Sequence, residues 1–345
     1  MTKYSFFIAL ATLSIWTTAC KSSNNDSTDS GSPPIDDTGL ASEVDVVYSA
    51  STFMVDLRPD EVYGQGQTHS GWNAPDPEEM DLKLDLYVPD NDGTERPLVV
   101  FTHGGAWTEG DKGSNGRLFC DFFAERGFVC ASINYRLLED YGTIPLDYAN
   151  ATLAIEDLTN GQREKIFAMY PAGRDCKAAV RWLVANASEI GVNPDAIALI
   201  GGSAGSFNSI AMDVSEPEDY RDEISLEEDP TLVSTNLDVE YEIQAVVNHW
   251  GGAGMIQFLG DVYGFDRFDS TDAPILIVHG TEDESVDFSN AEELVEIYTN
   301  VGVHNELVSL QGEGHGAWSA TVDGKSLIEL SFDFVTEQLE LTVVD

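Results

Sequence analysis

A chain of 345 residues, 42% of them hydrophobic, is long enough for one large domain with a sizeable core, and no internal repeat of a solenoid or propeller kind runs through it. Its 61 acidic residues against 17 basic ones leave a formal charge of −44, which excludes a nucleic-acid-binding surface or an anionic-membrane surface, since both need a basic face.

The chain opens with MTKYSFFIALATLSIWTTAC, in which Lys3 precedes an apolar run from Phe6 to Trp16 and small residues lead to Cys20. Residues 1–19 read as an export signal, too short and too soon followed by polar chain to span a bilayer. TTAC resembles the lipobox of bacterial lipoproteins, with Thr17 where that family carries leucine. The resemblance implies that Cys20 is lipidated, so that the exported chain meets a membrane only through this anchor. The plainer alternative for Cys20 is a thiol just past a standard cleavage site. Residues 20–43 form a Ser/Asp/Gly/Pro tether that cannot bury a core, and the folded domain is expected over 44–345.

In the mature chain DLKLDLYVP (81–89) alternates apolar and polar residues like a half-exposed strand, and PLVVFTHGG (97–105) is a continuous apolar strand ending in glycines. A helix follows over 114–126, a strand over 127–136, a helix over 175–189 and a strand over 196–200, after which 206–212 continues as helix. Strands are expected at 243–248, 274–279 and 306–310, with helices at 288–300 and 324–339. The alternation predicts an α/β domain whose mostly parallel central sheet carries helices on both faces, with the working residues at the carboxyl ends of the strands. Residues 137–170 and 213–242 read as loop-like insertions. The second is acid-rich with Arg221 as its single base, and 216–229 fits a solvated excursion. Cys120, Cys130 and Cys176 allow three pairings with one thiol left over, and the sequence does not choose among them.

The chemistry concentrates in LIGGSAGS (199–206), where Ser203 stands in a G-x-S-x-G run between a predicted strand and a predicted helix. There the serine sits on a sharp, strained turn, and flanking glycines let backbone pass where a Cβ would clash. A glycine-serine surface loop is the competing reading, so the serine needs a base, an acid and an oxyanion hole elsewhere. Of six histidines, His315 in QGEGHGAWS lies on a loop after a predicted strand. His249 and His279 close strands as structural residues, His69 and His304 sit in polar stretches, and His103 begins HGGAW. Asp283 in HGTEDESV follows the strand PILIV, with Asp287 as the competing acid. The order Ser203, Asp283, His315 is that of α/β-hydrolase triads. HGGAW (103–107) offers Gly105 and Ala106, with Ala204 after the serine, as oxyanion donors. Trp107 and Trp318 are candidate pocket walls, with a core role the alternative for each. Asp90 and Asp92 could bind calcium or simply form an exposed turn.

Together HGGAW, SINYRL (132–137), the stretch 175–205, HGTED and GHGAW resemble the α/β-hydrolase superfamily, near carboxylesterases, carbohydrate esterases and hormone-sensitive-lipase-like enzymes, from about Leu82 to Val335. The resemblance implies an exported serine esterase acting through an acyl-enzyme, with no metal or organic cofactor. Arg136 and Asp175 read as ion-paired structural supports. A serine peptidase on the same fold and a non-catalytic binding protein are the alternatives, and the ester itself is left open: short acyl, acetylxylan, feruloyl or polyester.

Overall fold

The structure is a computed structural model describing residues 46–345. The export signal, Cys20 and the whole tether (20–43) lie outside the described residues.

The elements run in the order β1 (Val46–Tyr48), β2 (Val55–Thr68), β3 (Glu78–Pro89), β4 (Arg96–Thr102), α1 (Gly116–Ala124), β5 (Val129–Ile133), α2 (Leu146–Ala154), α3 (Asn160–Ala185), α4 (Ala187–Ile190) and β6 (Val192–Gly202). The second half holds α5 (Ala204–Val214), β7 (Ala245–His249), α6 (Gly254–Tyr263), β8 (Ile275–Gly280), α7 (Ser289–Val301), β9 (Asn305–Leu310), the short pair β10 (Thr321–Val322) and β11 (Lys325–Ser326), α8 (Leu327–Gln338) and β12 (Thr342–Val344). Eight strands form one sheet in the order β2-β3-β5-β4-β6-β7-β8-β9. The pairs β2/β3 and β3/β5 are antiparallel and the rest parallel.

The continuous apolar runs are explained by burial on both sheet faces. Along β4, Leu98 and Val100 point into one core with Ile210 of α5, Met255 of α6 and Leu294 of α7. Val99 and Phe101 point into the other with Phe119 and Phe123 of α1 and Phe332 and Val335 of α8. The chain leaves β4 toward β5 on one side and returns to β6 on the other. The resulting crevice opens at the carboxyl ends of β4 and β6, where ligands bind in open α/β sheets.

Two regions differ from the sequence reading. The stretch 137–170 is largely helical: α2 lies within it, and α3 begins at Asn160, where Thr159 and Gln162 form a capping box. Pro171 and Gly173 inside α3 have poor helical propensity, but burial of Ala168, Tyr170 and Ala172 overrides it. β2 was not expected. Pro59, Gly64 and Gly66 interrupt its pattern, and it is an edge strand whose register against β3 shifts at two places. Cys120 of α1 and Cys130 of β5 form a disulfide, with Cα atoms 5.0 Å apart, leaving Cys176 buried in α3 as the free thiol among the described residues.

Candidate active site

Ser203 is the residue between β6 and α5, with φ 55° and ψ −124°. Non-glycine residues rarely adopt such a backbone, and it is held here by its surroundings. The Ser203 N–H donates to the carbonyl oxygen of His249 at the end of β7 (2.9 Å). The Ser206 hydroxyl exchanges hydrogen bonds with the backbone of the same histidine, 3.0 Å each. The turn passes so close to β4 that a Cβ on Gly205 would lie 2.0 Å from the Thr102 carbonyl oxygen. Strand β6 therefore runs into a tight elbow at Ser203, whose side chain points out of the sheet end.

Two further strand-end loops meet this hydroxyl. His315, on the loop after β9, places Nε2 2.9 Å from Ser203 Oγ, and its Nδ1 lies 2.8 Å from Oδ2 of Asp283 on the loop after β8. The Asp283 side chain is fully buried, whereas that of His315 is about a quarter exposed. Asp283 Oδ1 accepts the N–H groups of Ser285 (2.8 Å) and Val286 (2.9 Å), so backbone donors hold this oxygen in place. The loops are tied together where the N–H of Glu282 donates to Glu313 (2.9 Å) and that of Thr281 to Leu310 (3.0 Å). Asp287, the competing acid, instead accepts the Ser289 N–H at the start of α7.

The loop after β4 curls beside the elbow. Gly105, Ala106 and Trp107 have φ of 120°, 53° and 57°, and the N–H groups of Thr108 and Glu109 both close on the Gly105 carbonyl. A Cβ on Gly105 would lie 1.9 Å from the Glu109 carbonyl oxygen, so only glycine fits that curl. Gly104 lies against the Gly202 carbonyl and Ser203 Cβ. The N–H groups of Gly105, Ala106 and Ala204 take no part in the turn and loop hydrogen bonds among the described residues. His103 braces the curl. Its Nδ1–H donates to the Gly104 carbonyl (2.7 Å), its ring stacks on Tyr135, and burial pushes its pKa down so that the ring stays neutral.

The sequence matches the BD-FAE family over residues 84–165 and the prolyl oligopeptidase family over residues 172–342. It is 25% identical over 254 residues to the isoprenylcysteine alpha-carbonyl methylesterase of Arabidopsis thaliana, covering 68% of this chain and 53% of that protein. It is 29% identical over 215 residues to a probable carboxylic ester hydrolase of Mycobacterium tuberculosis, covering 62% and 36%. The chain thus spans about half the length, or less, of these curated relatives. Among solved structures, propionate-bound esterase Est2 of Thermogutta terrifontis matches with a TM-score of 0.57 at 23% identity, covering 83% of this chain and 96% of that one. A truncated carbohydrate esterase from gut microbiota matches at 0.54 and 19%, covering 85% and 99%. The chain has the α/β-hydrolase fold.

Around this α/β-hydrolase elbow the remaining candidates fall into place. Trp107 is 6% exposed and donates from Nε1 to Asn208 Oδ1 (3.2 Å), so it packs over α5 as core. Trp318 is partly exposed and lies against Trp250, His249 and Phe119, with its ring where a Cβ on Gly202 would be. The sequence reading did not single out Trp250. It is buried at φ 46°, its N–H donates to Val278 (2.8 Å), and its ring stands 6.2 Å from that of His315. Only its position after the last β7 residue could have pointed to it.

His249 is a buried support whose pKa is pushed down by burial to about 4. His69 bridges Ala74 and Thr143, and His304 pairs with Glu306 at the surface. Asp90 and Asp92 lie exposed after β3, and among the described residues no group of three or more His, Cys, Asp or Glu is arranged to hold a metal ion. Arg136 and Asp175 form a fully buried pair. The guanidinium donates to both carboxylate oxygens, at 2.6 Å and 2.9 Å, and to the Gln67 carbonyl (2.7 Å).

Proposed function

We propose that the chain is an exported serine esterase that hydrolyses carboxylic esters through a Ser203–His315–Asp283 triad. The observation that carries this reading is the continuous relay from Asp283 Oδ2 through both His315 nitrogens to Ser203 Oγ. With Nδ1–H donated to Asp283, His315 Nε2 is left as an acceptor for the Ser203 proton. Ser203 Oγ attacks the ester carbonyl carbon while its proton passes to Nε2, and the carbonyl π electrons move onto oxygen. The N–H groups of Gly105, Ala106 and Ala204 receive that oxyanion, each such donor lowering the barrier by about 3 kcal/mol. Collapse expels the alcohol, which takes the proton from Nε2. Water, deprotonated by the same nitrogen, then releases the acid and restores Ser203. Trp318, partly exposed beside the elbow, lines the substrate side.

The ester names of the relatives support a carboxylic ester substrate, and the charge of −44 favours a neutral one by repelling anions. The prolyl oligopeptidase match over 172–342 favours a second reading, a peptidase on the same fold. A panel of purified-protein rates on p-nitrophenyl acetate, an acetylated glycan, a feruloyl ester and peptide p-nitroanilides separates the two. Ester turnover with idle anilides is expected, and the reverse pattern makes the protein a peptidase. Cys20 is the proposed lipid attachment site, and a Cys20→Ala variant that still fractionates with bacterial membranes would remove the anchor.

A further inference from the structure

Two histidines share one oxygen of Asp283. Besides His315 Nδ1 at 2.8 Å, Nε2 of His279 lies 3.3 Å from the same Oδ2, and this Nε2 also reaches the Val286 carbonyl oxygen at 2.8 Å. Two acceptors facing one ring nitrogen place the hydrogen there, while Nδ1 is buried with no hydrogen-bond partner among the described residues. Burial pushes the pKa of His279 down, with Asp283 and His315 as the titratable groups acting on it, so the ring is neutral. Phe288, beside the start of α7, packs edge-on against the ring.

The groups around Asp283 are not equivalent. Ser285 and Val286 belong to its own loop and would move with it. His279 belongs to β8, inside the sheet and fully buried. We propose that His279 is a positioning residue for the triad acid: its Nε2–H, donated to Val286 on the Asp283 loop and standing 3.3 Å from Oδ2, ties that loop to the sheet and draws off part of the charge that would otherwise face His315 alone. The proposal rests on the serine-hydrolase reading above. Removing the donor leaves a more negative Oδ2 against His315, which favours the imidazolium. His315 must be neutral to take the serine proton, so the acid limb of the kcat/KM profile moves to higher pH. The freed carboxylate also orients His315 less well, which lowers kcat rather than KM.

The test compares pH profiles of p-nitrophenyl acetate hydrolysis for the native protein, His279→Phe, which keeps ring volume without a donor, and His279→Gln, whose amide nitrogen can stand in for Nε2–H. Rates are normalised to sites titrated with a fluorophosphonate. His279→Phe is expected to shift the acid limb up by about 0.5–1 pH unit and to lower kcat by about 5- to 50-fold with KM within about twofold, and His279→Gln to restore most of both. An unmoved acid limb in His279→Phe overturns the proposal, as does equal loss in the two variants. If the Phe variant does not fold, nitrogen NMR of the native protein decides, because a His279 ring protonated on Nδ1 instead of Nε2 overturns it equally. A native protein that no fluorophosphonate labels sinks the serine-hydrolase reading instead, before His279 is in question.

Discussion

Asp175 and Asp283 are both buried carboxylates at the carboxyl-end side of the sheet, and they are held in opposite ways. Asp175 meets a permanent cation: Arg136 grips both its oxygens, and the field of the carboxylate holds the guanidinium charged despite complete burial. Asp283 meets, among the described residues, no Lys or Arg, only two backbone N–H groups, the His315 ring and, at 3.3 Å, the His279 ring. A permanent partner fixes geometry and leaves nothing to titrate. A ring partner fixes geometry while leaving a proton free to move at its far nitrogen, which here faces Ser203. The same residue type therefore serves as a buttress in one place and as part of the proposed reacting site in the other.

The largest effect that sharpens this contrast is expected from Asp283→Asn. An amide in place of Oδ2 turns a donor toward His315, selects the tautomer with hydrogen on Nε2, and should lower kcat by about 10³- to 10⁴-fold. Asp287→Asn should stay within about twofold of native, and steady-state kinetics on both variants reverses the assignment if Asp287 is the damaging site. Next is the buttress: Arg136→Ala leaves Asp175 charged and unpaired in the core, so unfolding free energy should fall by about 3–5 kcal/mol. The rate per titrated site in the folded protein should be close to native. Denaturant melts alongside active-site titration check this, and a catalytic defect with full stability would break the contrast.

A third carboxylate, Asp272, is held by a single backbone N–H, that of Asp269 at 3.1 Å. Burial raises its pKa to about 7, with Asp269, Asp266 and Glu216 adding repulsion. Between the ordinary carboxylate range and pH 7 the folded protein binds more protons here than the unfolded chain, so this group's contribution to stability is present at acid pH and is lost as pH rises through 7. Asp272→Asn should raise Tm by about 1–4 °C at pH 8 and by clearly less at pH 5. Equal melting shifts at the two pH values would show that the carboxylate is not the cause.

The sequence made the candidate-site half of this comparison legible because strand-end turns of this kind demand rare residues. An elbow at positive φ needs glycines flanking Ser203, and a curled donor loop needs HGG after an apolar strand. The Arg136–Asp175 support could also be read from its setting. The course of 137–170 was hidden because α3 runs through Pro171 and Gly173 on the strength of tertiary burial. β2 was hidden because Pro59 and two glycines break its alternation, and only pairing with β3 makes it a strand. The Cys120–Cys130 bridge depends on α1 packing beside β5, which spacing alone does not state. His279 looked like the end of a buried strand, and its second role depends on how the following loop folds back on it.

The central claim is that Ser203, made nucleophilic by His315 and Asp283, does the chemistry. Its most direct test is to treat the protein with a fluorophosphonate and follow intact mass, peptide mapping and residual ester turnover together. The account predicts one adduct per chain, mapped to Ser203, abolishing turnover in step with labelling and absent from Ser203→Ala. An adduct mapped to another residue, or a Ser203→Ala protein that labels and turns over ester like the native one, would contradict it.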